Sequence, residues 1–300
     1  MINATTTKRK DLLPSLGILI AAIMWGVFWI PVREVESVGI GAVWTSVLIF
    51  SASAIAFFPM VVIRWKIMVR GARSIVMAGF LSGLAFALYT IALNLTDVVR
   101  VILLFYMTPL WSTLLGIFIL KEKLTINRVT GLILAFSGLM VVLGAGYQIP
   151  VPSGLGDWLA LLSGLIWSFA SVKLFQGGAG MLLEKVFLFV FFALLCSILF
   201  ALLPLGQEIS IPDPNLLRDV WVWVFVIAIL MFPMTFLTIW PTTLLSPGRV
   251  GMLLMADVVA GVISAAILTD ETFGYRELTG TLLIVSAGIV EVVRQQTIKS

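Results

Sequence analysis

Ten apolar stretches of membrane-spanning length follow one another along the sequence, and they constrain its fold more than any other feature. A helix rises ~1.5 Å per residue, so roughly 20 apolar residues cross the ~30 Å hydrocarbon core of a bilayer. Hydrophobic residues fill 61% of the 300 positions and charged residues 11%, whereas soluble domains average roughly 45–50% and 25%. We therefore predict an all-α polytopic membrane protein. Its ten predicted transmembrane helices span approximately residues 15–32, 42–63, 74–93, 98–120, 128–145, 155–174, 184–204, 220–240, 249–269 and 277–293.

The two halves of the sequence share a pattern offset by 149 residues, the interval from Arg100 to Arg249. Identical residues recur in this register without a gap, and several are charged or polar in a chain that is poor in such residues. The pairs are Arg100/Arg249, Val101/Val250, Leu104/Leu253, Glu122/Glu271, Thr130/Thr279, Gly131/Gly280, Leu134/Leu283 and Ser137/Ser286. We interpret this pattern as an internal duplication. Each half holds five predicted helices, an odd number, so the second half would cross the membrane in the opposite sense. Inverted repeats of this kind are typical of secondary transporters.

The positions of the basic residues predict the topology. Fifteen of the nineteen Lys and Arg residues lie in loops on the side of the N-terminus, all except Arg33, Arg100, Arg218 and Arg276. Cytoplasmic loops carry such an excess, so we predict a multi-pass protein of the inner membrane with both termini in the cytoplasm. The first apolar helix has no small-x-small cleavage site after it and is predicted to be retained. The predicted units are a cytoplasmic N-terminal segment (1–14), repeats at 15–145 and 155–293, an outer linker (146–154) and a cytoplasmic tail (294–300).

Several function classes are excluded by residues that the sequence lacks. Histidine is absent, which excludes His-based metal sites, Ser-His and Cys-His nucleophile pairs, and His proton relays. The single cysteine, Cys196, cannot form a disulfide within the chain. There is no Walker-type motif for ATP and no basic surface for nucleic acid outside the membrane segments. We predict no cofactor, no metal and no enzymatic activity, and the sequence gives no signal for an oligomeric state.

Two matching motifs at the ends of the fourth and ninth predicted helices resemble the EamA-type family of the drug/metabolite transporter superfamily. The first is Leu120-Lys121-Glu122-Lys123-Leu124-Thr125 followed by Thr130-Gly131-Leu132-Ile133. The second is Thr269-Asp270-Glu271-Thr272 followed by Thr279-Gly280-Thr281-Leu282. The resemblance extends over nearly the whole chain. It implies a secondary carrier, often an exporter of amino acids or other small metabolites. It also implies a central cavity lined chiefly by helices 1, 3, 4, 6, 8 and 9.

Asp257 is the principal candidate site residue because it is a single carboxylate near the middle of an apolar run. An ionised side chain at the bilayer midplane costs at least ~2.5–3.5 kcal/mol, so something must offset that cost. Asp257 could be a structural carboxylate that is hydrogen-bonded to a neighbouring helix. In a carrier, its charge could instead be compensated by a cationic substrate group or by a proton. Gly261 and Ser264 share its helix face, and these small residues would serve packing or a pocket equally well.

The repeat register places Thr108 opposite Asp257, with Pro109 next to it. Because proline supplies no N–H, the carbonyl of Phe105 loses its helical partner and the helix is predicted to kink near the midplane. Tyr106 and Trp111 are nearby aromatic candidates for a cavity wall.

Further candidates lie on other helices. Trp25 and Trp167 occupy similar places in the two halves and could form facing aromatic walls, and Tyr89 is a polar group deep in the third helix. The string Gly154-Leu155-Gly156-Asp157 resembles a motif of intramembrane aspartyl proteases, but an acid that opens a helix also complements the helix dipole.

The leading hypothesis is a carrier that moves a small organic metabolite by alternating access. A proton-coupled carrier that exports drugs or quaternary cations is the alternative within transport. A membrane-embedded enzyme is the alternative from another class.

Overall fold

The computed structural model describes residues 4–96, 98–143, 151–202, 212–213, 215–268 and 274–298, and every regular element in these ranges is an α-helix. The helices are α1 Ala4–Gly26, α2 Trp29–Ser37, α3 Ala42–Leu95, α4 Val98–Phe105, α5 Thr108–Leu120, α6 Ile126–Leu143, α7 Leu155–Gly177, α8 Leu182–Ala201, α9 Leu216–Thr242, α10 Pro247–Leu254, α11 Ala256–Leu268 and α12 Tyr275–Ile298. The predicted all-α polytopic class is confirmed.

Nine segments of the described chain are long and apolar enough to cross a bilayer, and they correspond to the first nine predicted helices. The tenth predicted helix corresponds to α12, which packs along α6. Parts of the predicted topology lie outside the described residues: most of the linker 146–154, residues 203–211 and 214 before α9, the motif residues Thr269–Thr272 and the chain ends.

The second and third predicted helices form one continuous helix, α3, of 54 residues. The rings of Phe50 and Phe86 within it lie 5.5 Å apart, although a straight helix would separate them by about 54 Å. The helix therefore folds back on itself between its two spanning segments, Val43–Gly71 and Ile75–Leu93. The two predicted spans are confirmed, and the residues that join them are helical as well.

Three of the spans are interrupted near their middle. The first breaks between α1 and α2, just before Pro31, and the fourth breaks between α4 and α5, as Pro109 predicts. The ninth span, predicted at 249–269, is found at Pro247–Leu268, and it contains a break at Met255 that the sequence did not predict, because no proline marks it. There the N–H groups of Met255 and Val258 bond three residues back instead of four, and this tighter winding within a helix often marks a functional position.

Close helix packing holds α6 against α12. A Cβ atom added to Gly280 would lie 2.8 Å from the carbonyl oxygen of Gly138, so the two backbones are nearly in contact. Because apolar association is weak inside lipid, small residues that let helices approach this closely supply van der Waals contact in its place. The larger core cluster is built from α3, α7, α8 and α9, which surround the cavity described next.

Candidate substrate cavity

The three helix breaks lie around one cavity of about 660 Å³. Its lining includes residues from all six helices that the family resemblance implies, and also from the second and seventh predicted helices. This volume falls within the range of about 300–1,000 Å³ that is typical of small-molecule sites. Interrupted helices are tolerated at membrane depth only where they face protein or a cavity, which is the case here.

Asp257 lies at the base of the cavity, in the first turn of α11. Its carboxyl interacts with the hydroxyl of Tyr106 and, at longer range, with Tyr89. Within the described residues, its Oδ1 atom has no hydrogen-bond partner. The residue thus borders the cavity while lying deep in the protein, where a carboxylate oxygen without a partner is costly. A ligand group or a proton at this position would satisfy it.

The segment carrying Asp257 is fixed by helix α1. Gly26 packs directly against the backbone carbonyl of Asp257, in contact too close for any side chain. The Cβ of Ala260 and the backbone of Gly261 complete this contact. Asp257 therefore lies at a close contact between two interrupted spans, at the end of α1 and the start of α11.

Aromatic rings form a continuous wall above Asp257. Their centroids are separated by 5.0 Å for Trp25 and Phe86, 6.4 Å for Phe86 and Tyr89, and 4.8 Å for Tyr89 and Phe105. The indole N–H of Trp25 donates a 3.0 Å hydrogen bond to the hydroxyl of Thr238, which orients the ring. The wall presents apolar surface and π faces to any ligand that enters.

One end of the cavity, here called the mouth, is lined by the exposed residues Arg33 and Glu36 of α2. The guanidinium of Arg33 lies 5.9 Å from the ring centroid of Trp29. The indole N–H of Trp29 in turn donates a 3.0 Å hydrogen bond to the hydroxyl of Ser264. These contacts connect the outer part of α2 to α11.

The opposite side is shut by a second group of residues, here called the closed face: Glu122, Arg128, Ser246 and Glu291. Arg128 is buried, and its guanidinium bonds to Glu122 at 2.7 Å, to Ser246 at 3.0 Å and to Glu291 at 3.2 Å. These bonds join residues separated by up to 163 positions and so connect the two halves of the chain.

Close packing between α5 and α10 reinforces the closed face. A Cβ atom on Gly248 would lie 2.9 Å from the hydroxyl of Thr113, and one on Gly251 would lie 3.0 Å from the Cα of Pro109. None of the residues of the closed face lines the cavity, whereas the exposed residues Arg33 and Glu36 of the mouth do.

The structure brings together five of the predicted site residues: Asp257, Tyr106, Tyr89, Trp25 and Trp167 all line the cavity. The other four lie outside its lining, and each has a packing environment of its own.

Thr108 donates its hydroxyl to the carbonyl of Phe105, which supplies the bond that Pro109 cannot make. Trp111 is half-buried on the next turn of α5. Gly261 packs against Gly26, and Ser264 bonds to Trp29.

Sequence reasoning missed the part of the lining that α2 supplies. Residues 25, 28, 29, 32, 33 and 36 all line the cavity, and this spacing of three and four is the signal of one helix face. Because this helix face ends in the charged residues Arg33 and Glu36, the spacing could have predicted the mouth of the cavity.

Asp157 does not contribute to the cavity. It is buried at the start of α7, where it accepts hydrogen bonds from Arg100, Ser153 and Thr96. These bonds compensate its charge and fix the start of the helix. The protease-like string is thus explained by a structural ion pair. Within the described ranges, no cluster of His, Cys, Asp or Glu side chains could hold a metal ion.

The described residues thus form an α-helical protein with nine candidate membrane spans around a central cavity of small-molecule size. Residues 12–144 match the model of the EamA-like transporter family. Over this first part of the chain, the sequence is therefore similar to that transporter family.

Two individual proteins illustrate these similarities. The chain is 24% identical over 165 residues to the "Uncharacterized transporter YoaV" of Bacillus subtilis (strain 168), a match that covers 52% of this chain and 55% of that protein. The match thus spans about half the length of the curated relative. A solved crystal structure is similar in fold, with a TM-score of 0.68 and 20% sequence identity over 96% of this chain and 99% of that one.

Proposed function

We propose that this protein is a secondary-active carrier that exports a small organic metabolite, an amino acid or a similar compound, by alternating access. The observation that carries the proposal is the convergence of three interrupted helices on a cavity with Asp257 at its base. Helix breaks at the midplane are the usual way in which secondary transporters build a substrate site.

Alternating access requires that one side of the site is open while the other is shut. The mouth at Arg33 and Glu36 and the closed face around Arg128 fit these two requirements. On the predicted topology, the mouth faces the exterior and the closed face lies toward the cytoplasm of a cell whose inner membrane holds the protein. The transport cycle would then alternate between this arrangement and one in which the Arg128 bonds are broken.

An inverted-repeat architecture is part of the proposal, and two observations support it. The breaks follow Phe105 and Leu254, which are 149 residues apart, the same interval that relates the sequence motifs. Gly138 contacts Gly280, while Gly131 faces the carbonyl of Ala287. In the 149-residue register, Gly131 corresponds to Gly280 and Gly138 to Ala287. The second contact is therefore the repeat equivalent of the first, as a pseudo-two-fold axis between α6 and α12 requires.

Proton coupling is the second candidate within transport, and Asp257 is the observation that favours it. A carboxyl without a cationic neighbour can bind a proton in one state and release it in the other. This role would suit a carrier that exports drugs or quaternary cations as well as a metabolite exporter. A membrane-embedded enzyme is less well supported, because no nucleophile or second acid accompanies Asp257 among the described lining residues at the base of the cavity.

The test is flux in proteoliposomes loaded with a mixture of the twenty amino acids and simple amines. We expect at least one compound to leave intact, and Asp257→Asn to insert normally but to lose concentrative transport. Asp219→Asn, at an exposed position in the first turn of α9 and outside the lining, is the matched control and should retain flux. Chemically altered products would indicate an enzyme instead. Transport by Asp257→Asn at the wild-type rate and with the wild-type pH profile would make Asp257 a packing residue.

A further inference from the structure

The charges that line the cavity are distributed unevenly with depth. Arg33 and Glu36 carry opposite charges at the exposed mouth, one turn apart on α2. Farther in, the lining has a carboxyl group at Asp257, and the described lining residues at this depth include no Lys or Arg. A ligand cation would therefore meet a carboxylate at the base, whereas a ligand carboxylate would lose its water without gaining a counter-ion.

The aromatic wall also favours a ligand with a positive charge. Trp25, Phe86, Tyr89 and Phe105 follow one another at centroid distances of 4.8 to 6.4 Å and surround the space above Asp257. The faces of aromatic rings attract ammonium groups, most strongly where water is excluded. The same rings offer apolar contact to a flat or bulky hydrocarbon body.

The neutral polar groups of the lining do not reverse this preference. The hydroxyl of Thr238 is already bonded to Trp25 and to the carbonyl of Met234. The indole N–H of Trp167 is buried and, among the described residues, has no hydrogen-bond partner. Thr45 and Thr90 donate their hydroxyls to main-chain carbonyls. Neutral donors suit a hydroxyl or carbonyl oxygen of a ligand, but they do not supply the counter-ion that a buried carboxylate needs.

We infer that the cavity binds a monocationic amine with an aromatic or bulky apolar body and without a free carboxylate, its ammonium group on Asp257 and its body against the Trp25–Phe105 wall. This inference rests on the proposed carrier function and narrows its substrate class. It places the metabolites that carry an amino group but no acid ahead of the amino acids themselves.

The experiment compares four compounds that share one phenyl body and differ in charge: 2-phenylethylamine, 2-phenylethanol, 3-phenylpropanoate and phenylalanine. Binding to the purified full-length protein in lipid nanodiscs is measured by quenching of tryptophan fluorescence. We expect the amine to bind at least tenfold more tightly than the other three. Asp257→Asn should abolish this preference while leaving the weak binding of the alcohol unchanged, and Asp219→Asn, at an exposed position outside the lining, should preserve it.

Two results would overturn the substrate class: equal binding of 3-phenylpropanoate or phenylalanine, or an unchanged amine preference in Asp257→Asn. The wild-type series decides the question alone if Asp257→Asn does not fold. Flux in proteoliposomes separates this inference from the carrier function. Transport of other solutes without a preference for the amine would refute the inferred substrate class but not the proposed carrier function. Selective binding of the amine without flux of any solute would refute the proposed carrier function but not the inferred amine-binding site.

Discussion

Removal of the Arg128 side chain should open the side of the protein that is shut in this structure. The Arg128 side chain is 8% exposed and that of Glu291 is 4% exposed, and the two are bonded at 3.2 Å. Arg128→Ala leaves Glu291 buried without this partner. Breaking a buried ion pair from one side costs about 3–5 kcal/mol. The lower end applies here, because Arg249 also interacts electrostatically with Glu291 and remains in place.

A cost of about 3 kcal/mol corresponds to a shift of roughly a hundredfold in the equilibrium between shut and open arrangements, since each 1.4 kcal/mol is about tenfold. The assay is the rate at which a small maleimide labels a cysteine introduced by Thr113→Cys in a Cys196→Ser background. Thr113 of α5 is buried against Gly248 of α10 and should react slowly in the parent protein. We expect Arg128→Ala to raise this rate by about a hundredfold.

Two controls separate opening of the closed face from general loosening of the fold. Lys123→Ala removes an exposed cation from the same side and should not change the labelling rate. The native Cys196 is buried in α8, away from the closed face, so its labelling in an otherwise unchanged Arg128→Ala protein should stay slow. The reasoning is refuted if Thr113→Cys is labelled at the same rate with and without Arg128.

Two further predictions concern helix packing and topology. Gly280→Ala should lower the midpoint of thermal unfolding in detergent, because the added methyl group would overlap the α6 backbone at 2.8 Å, an overpacking that costs about 1–3 kcal/mol. Gly288→Ala is the control in the same helix, where the nearest atom is 3.9 Å away, and an equal loss in both variants would contradict the packing argument. For topology, in a Cys196→Ser background, a cysteine at Asp213 should be labelled from outside the cell and one at Lys123 from the cytoplasm. Labelling at 213 only from the cytoplasm would invert the predicted orientation.

The class of the protein and its most distinctive residue were accessible from the sequence alone. The number and length of apolar runs are local properties, and a bilayer about 30 Å thick makes them sufficient to identify spanning helices. Asp257 stood out for the same reason, since a carboxylate inside such a run has a cost that can be recognised without knowing its neighbours. The kink at Pro109 followed from the covalent structure of one residue.

Other features depended on contacts between distant parts of the chain. The break at Met255 could not be predicted, because neither proline nor glycine occupies this position. Only the fold shows that this break lies beside the cavity with the two other breaks. Thr108 and Trp111 lie on an interrupted helix as expected, yet the rotation of α5 places them outside the lining. A helical pattern shows which residues share a face, but not which neighbour that face meets.

The pairing of Arg128 with Glu291 likewise required the tertiary structure. The sequence placed both residues near helix ends on one side of the membrane, where charged residues are common. It did not indicate that they bond across 163 positions and join the two halves. The sequence therefore determined what must lie in the membrane, because burial in lipid depends on each segment's own composition. The tertiary structure decided which groups meet in the cavity and at the closed face, because those contacts depend on how the segments pack together.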